Sequence, residues 1–168
     1  MKNRLIIVLL TIGLMVFFFQ MDSFAQEQPP RPIAVYVSPI QGLSFGAIIL
    51  GPTGGTVTVS PTGSRSKTGD IILGNFGESF TPALFEIEAN PGTLISILNG
   101  PNVILNGSGG GTLTLVVGDS DPTSPFICVL SYPSRNQVRI GGTLQVGNTA
   151  SNPPGNYSGT FSLTFIQE

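Results

Sequence analysis

The sequence contains no histidine, and that absence removes the usual general base and the commonest metal ligand. Ser-His-Asp and Cys-His catalysis are excluded with it. Tryptophan is also missing, and the tyrosines, Tyr36, Tyr132 and Tyr157, are scattered, so a flat aromatic platform for sugars is not evident. The one cysteine, Cys128, rules out a disulfide within the chain. It sits in the apolar run Phe126-Ile127-Cys128-Val129-Leu130, where a thiol behaves as a small hydrophobe; a bridge to another chain is the alternative.

Charge is scarce as well. Asp, Glu, Lys and Arg make up 10% of the residues, against about 25% in an ordinary soluble domain, so the surface must be built from uncharged polar groups. Beyond residue 25 the basic residues are Arg31, Arg65, Lys67, Arg135 and Arg139. The acidic ones are Glu27, Asp70, Glu78, Glu86, Glu88, Asp119, Asp121 and Glu168. No basic stripe with interleaved aromatics emerges, and nucleic-acid binding loses its electrostatic driving term.

Lys2 and Arg4 precede an apolar run from Leu5 to Phe19, and Ser23-Phe24-Ala25 supplies small residues after it. That order predicts a secretory signal peptide over residues 1–25. The run is shorter than the roughly 20 residues a membrane helix needs, so no membrane span is expected after cleavage. Residues 26–32 hold Pro29, Pro30 and Pro32 and read as an extended leader. Residues 33–168 fit one domain, able to bury roughly two-thirds of its unfolded surface.

Glycine (22) and proline (14) fall at short intervals between runs of Val, Ile, Leu, Thr and Phe, which is punctuation for strands. Strands are expected at Ile33 to Val37, Leu43 to Leu50 with a break at Gly46, Thr56 to Ser60, Asp70 to Leu73, and Ala83 to Ala89. Further strands are expected at Leu94 to Leu98, Asn102 to Leu105, Thr112 to Val117, Phe126 to Ser131, Gln137 to Val146 bent at Gly141-Gly142, and Tyr157 to Ile166. In the last, Tyr157, Gly159, Phe161, Leu163 and Phe165 share one face, because strand side chains alternate. One apolar face per strand predicts an antiparallel β-sandwich, with a closed barrel as the alternative. A Gly-Gly-Thr phrase opens three such segments, at Gly54, Gly110 and Gly141, and reads as glycine turns entering similar strands.

Candidate site chemistry is thin, and no catalytic, cofactor-binding or metal-ligating residue is assigned. Glu86 and Glu88 fall at i and i+2 on one strand face and read as a solvated surface pair in preference to a glycosidase pair. Asp119-Ser120-Asp121 reads as a turn whose oxygens are too few for calcium. The sequons at Asn106 and Asn156 would matter in a eukaryotic secreted protein and read as chance in a bacterial one.

The segments Val138-Arg139-Ile140-Gly141-Gly142-Thr143-Leu144-Gln145-Val146-Gly147 and Pro154-Gly155-Asn156-Tyr157-Ser158-Gly159-Thr160-Phe161 resemble the closing signature of a secreted bacterial family, domain of unknown function 4402. Leu43-Ser44-Phe45-Gly46, Gly54-Gly55-Thr56-Val57-Thr58-Val59 and Ser60-Pro61-Thr62-Gly63 are similar to the same family. The resemblance implies an exported, immunoglobulin-like antiparallel β-sandwich and brings no catalytic residues. The ending Gly155 to Phe165 is also similar to the last strand of chaperone-usher pilins, although the pilin disulfide is absent.

These readings converge on an exported, non-enzymatic protein of the periplasm, cell surface or extracellular space. The expected role is structural or adhesive, with strand addition to copies of itself or to other envelope proteins as a pilus-like route. The alternative is a binding module for a glycan or small ligand. Ile33, Val35 and Val37, directly after the Pro-rich leader, leave two uses of the first strand open: pairing within the chain or donation to a neighbour.

Overall fold

The computed structural model describes residues 32–168; the expected signal segment and all of the leader but Pro32 lie outside the described residues. In chain order the strands are β1 (Ala34–Val37), β2 (Ser44–Phe45), β3 (Ile48–Val59), β4 (Arg65–Leu73), β5 (Phe80–Thr81), β6 (Ala83–Glu88) and β7 (Leu94–Asn99). They continue with β8 (Val103–Gly107), β9 (Thr112–Asp121), β10 (Phe126–Ile127), β11 (Asn136–Val146), β12 (Tyr157–Ser158) and β13 (Leu163–Gln167). No helix occurs among the described residues.

The large sheet is organised around β11, and its pairings are antiparallel. One side of β11 pairs with β9; the other is shared, β6 taking residues 136–140 and β3 residues 142–146. β1 lies beyond β6, β4 beyond β3, and β8 then β12 beyond β9. A second sheet runs β10-β7-β13, and β2 pairs with β5. The expected bend at Gly141-Gly142 is a bulge, where the register against β9 shifts between Ile140 and Gly142. A Cβ on Gly118 would stand 3.3 Å from the Gly141 carbonyl carbon, so the two strands close tightly at the bend because side chains are missing there.

The core has two parts. In the first, Phe85 and Ile87 of β6 and Val138 and Ile140 of β11 pack with Ile95 of β7 and Phe126 of β10, and Leu163 and Phe165 of β13 close over them. This is sheet on sheet, the sandwich that alternation predicts. Phe85 ties the layers, its ring centroid 6.3 Å from that of Phe161 and 5.5 Å from that of Phe165, contacts worth about 0.5–1.5 kcal/mol beyond area burial. In the second part, Val57, Val59, Ile71, Leu105, Leu115 and Leu144 come from strands of the one large sheet, which curls around them, with Phe45 of β2 inside. Leu43 and Phe161 pack against both parts.

Five expectations need correction. The strands expected at Leu43 to Leu50 and at Thr56 to Ser60 divide elsewhere: Ser44–Phe45 stand alone as β2, and Ile48 runs on to Val59 as β3, its register against β4 shifting between Leu50 and Gly55. The ending Tyr157 to Ile166 is two strands, not one: β12 pairs with β8 of the large sheet and β13 with β7 of the second. The crossing falls at Gly159, where a Cβ would meet Leu105 Cδ2 at 2.7 Å; the alternation of Phe161, Leu163 and Phe165 survives because all three face the same interior. Asp119 to Asp121 belong to β9 instead of a turn, since Asp121 pairs with Arg139 and Ser120 with Ile140. The run from Phe126 shrinks to two strand residues because Asn136 Oδ1 takes the amides of Val129 (2.9 Å) and Leu130 (3.2 Å). β4 begins at Arg65, five residues before the expected start at Asp70, a polar stretch invisible to an apolar pattern because it is a sheet edge.

Candidate functional site

Residues directly opposite in a ladder share a face. Val57, Leu144, Leu115 and Val103 are aligned neighbours pointing inward, so the alternating residues point out. One outward row runs Thr68, Thr56, Gln145, Thr114 and Ile104 across β4, β3, β11, β9 and β8; the next runs Ser66, Thr58, Thr143 and Val116. A third joins Thr112, Asn106 and Ser158. No member of these rows is charged. The hydroxyls of Thr56 and Thr68 lie 2.7 Å apart and those of Thr58 and Thr143 2.9 Å apart, cross-strand pairs that fix rotamers across the face.

The three Gly-Gly-Thr segments meet here. β3 and β9 flank β11, so phrases far apart in sequence become hydrogen-bonded neighbours. At the end of β11 the face dips into an open depression of about 570 Å³, lined by Thr56, Thr112, Thr114, Gln145 and Ser151 with the backbone of Gly55 and Gly147. Asn152 builds its wall. This side chain is buried; its Oδ1 accepts the Gly147 amide at 2.6 Å and its Nδ2 donates to the Thr112 carbonyl at 2.6 Å. Asn148 Oδ1 accepts the amides of Ala150 (3.1 Å) and Ser151 (2.9 Å), and the Tyr157 hydroxyl donates to the Pro153 carbonyl at 2.7 Å. Loop 147–156 is therefore held by its own side chains, a local use of Asn that competes with regular structure.

The outer face of the other half is charged and tied together. Glu86 and Glu88 do share a face of β6, as their spacing predicts. Arg135 lies 3.0 Å from Glu86 and 3.9 Å from Glu88, and its guanidinium stacks 3.7 Å from the Tyr36 ring centroid. The hydrogen bond to Glu86 pushes the Arg135 pKa further up. A carboxylate pair bridged by one guanidinium serves the surface. Asp119 and Asp121 point outward, while Ser120 turns inward, donating to the Pro122 carbonyl (2.7 Å) and accepting the Ser124 amide (3.1 Å). The two carboxylates and the hydroxyl thus face opposite sides of the strand. Among the described residues no three His, Cys, Asp or Glu side chains gather.

Cys128 is fully buried, and burial pushes its thiol pKa up, which suits a packing residue. β1 pairs with β6 of its own chain, Val35 opposite Ile87 and Val37 opposite Phe85. Yet Val35 and Val37 stand 39% and 67% exposed, and of the three expected anchors only Ile33 packs against the core. Among the described residues no helix is long and apolar enough to cross a membrane.

The depression escaped sequence reasoning because its residues come from β3, β9, β11 and the loop after it. The available signal was the outward Thr-x-Thr of Thr56-Val57-Thr58 and Thr112-Leu113-Thr114, recurring in phrases that also read as glycine turns. A family model described as Domain of unknown function (DUF4402) matches residues 35–166. No curated protein and no solved structure matches the chain, and the pilin-like ending gains no relative from these comparisons.

Proposed function

The chain belongs to the DUF4402 family, and from that premise we propose that it is an exported, non-enzymatic module of the cell envelope or cell surface with a structural or adhesive role. The observation that carries this reading is the broad outer face of the large sheet, uncharged over the rows of Thr68 and Ser66 through Ile104 and Val116. A surface of paired hydroxyls on a rigid sheet suits contact with other surfaces and offers no nucleophile activated by a neighbouring base. Strand donation in the pilin manner ranks behind a solitary domain, because β1 is occupied by β6 of its own chain.

Expression with the native leader in a bacterial host, followed by fractionation and mass analysis, tests the reading. A chain starting at Gln26 in the envelope or medium is expected, whereas a cytoplasmic chain with intact Met1 overturns export. On a native gel the solitary domain runs as a monomer; a ladder would restore the pilus-like route. The second reading, a binding module for a glycan or small ligand, is favoured by the depression at the end of β11.

A further inference from the structure

We propose that the depression between β3 and β9 at the end of β11 holds a stretch of a neutral polysaccharide chain, a proposal that rests on the second reading above. Four polar side chains line it without a hydrogen-bond partner among the described residues: the Gln145 amide and the hydroxyls of Thr112, Thr114 and Ser151. An amide and three hydroxyls each donate and accept, which is what sugar hydroxyls require. The lining carries no Arg or Lys to neutralise an acidic sugar and no carboxylate to attract a basic one. The occupant is therefore uncharged.

Size and shape narrow it further. About 570 Å³ falls within the range of small-ligand sites, but such sites enclose most of the ligand, and this one is open along the face. An open trough suits a segment of a longer chain that enters and leaves across the sheet. A peptide would want aromatic or aliphatic anchors, and Val146 is the one large apolar residue in the lining. The site is also preformed. Asn152 clamps Gly147 to Thr112, and a Cβ on Gly54, whose φ is +73°, would run into the Val146 carbonyl, so the backbone around the trough has little room to move and little ordering cost on binding. With no aromatic ring to stack on, recognition runs through hydrogen bonds and affinity is modest.

The test is a titration of the isotope-labelled chain, residues 26–168, with neutral cello-, malto-, chito- and dextran-derived oligosaccharides, and with polygalacturonate and heparin as anionic probes. The expected result is that a neutral series shifts the Gln145 side-chain amide resonance. Gln145→Ala and Thr114→Val should then each weaken binding about tenfold with unchanged melting temperature, while Arg139→Gln on the charged half leaves it unaltered. If neutral probes bind and the two variants bind as well as the parent, the placement is wrong although glycan binding stands. If only the anionic probes bind, the ligand class is wrong. If no probe shifts any resonance at millimolar concentration, the proposal falls and the glycan form of the second reading falls with it, leaving a small-ligand site or the structural or adhesive module.

Discussion

The two halves of the large sheet solve the same problem differently. Around β6 and the first half of β11 the apolar face is covered by a separate sheet, and the outer face is charged, with Arg135 joining Glu86, Glu88 and Tyr36. Around β3, β9 and the second half of β11 the sheet curls on its own apolar face, and the outer face is hydroxyl and amide. In the curled half the charges Arg65, Lys67 and Asp70 are confined to the edge strand β4. The difference teaches that low overall charge, read from composition as a general surface property, is uneven here: charge gathers around β6 and on the β4 edge and is absent from the rows that carry the trough.

Mutations can break this comparison. The largest effect is expected in the covered half: Phe85→Ala removes a ring in contact with Phe161 and Phe165 and should cost about 3–5 kcal/mol. Because Leu43 and Phe161 pack against both cores, urea melts by fluorescence and circular dichroism should still show one coincident transition. Two separated transitions would mean that the halves are independent units.

In the curled half Gly54→Ala forces a side chain onto a left-handed backbone and against the Val146 carbonyl. A loss of roughly 2 kcal/mol or more is expected. An unchanged denaturation midpoint would mean that the backbone at Gly54 is adjustable and the trough is not preformed.

Each half has one buried asparagine pinning a loop, Asn136 below β10 and Asn152 beside the trough. Replacing either with Ala leaves backbone groups without their partner, at about 1–3 kcal/mol each. Hydrogen exchange should separate them: N136A should expose the amides of Val129 and Leu130, and N152A that of Gly147. Exchange that rises uniformly in both variants argues against local clamps.

The smallest effect belongs to the charged face. Arg135→Ala removes an exposed ion pair and a ring contact, and the smallest shift in the urea midpoint among these variants is expected, diminishing with added salt. A larger, salt-independent loss would make this network part of the core's support.

Much of the architecture was legible from residues alone. Periodicity of two in Ala83 to Glu88 and in Leu163 to Phe165 fixed which side chains are buried, since only one register hides the apolar set. Glycine at 141 and 142 marked the bend, and the family signature reached along the chain. The misses have physical reasons. The edge strand β4 has no apolar alternation before Gly69, because its outward residues meet water and Lys67 lies at the rim; Lys67 Nζ donates to the Ile71 carbonyl. Tyr157 to Ile166 alternates through a change of sheet, because alternation reports which side faces the interior and not which strand supplies the hydrogen bonds.

What the sequence determined by itself is the chemistry available: no imidazole, one cysteine, little charge, and strands cut by glycine and proline. What tertiary structure decided is where that chemistry meets. Pairing between strands is non-local, and register between segments as distant as Thr56, Thr114 and Gln145 follows from burying Val57, Leu115 and Leu144 on the other side. The hydrophobic effect chose the inner face, and the outer face, trough included, is what that choice left in water.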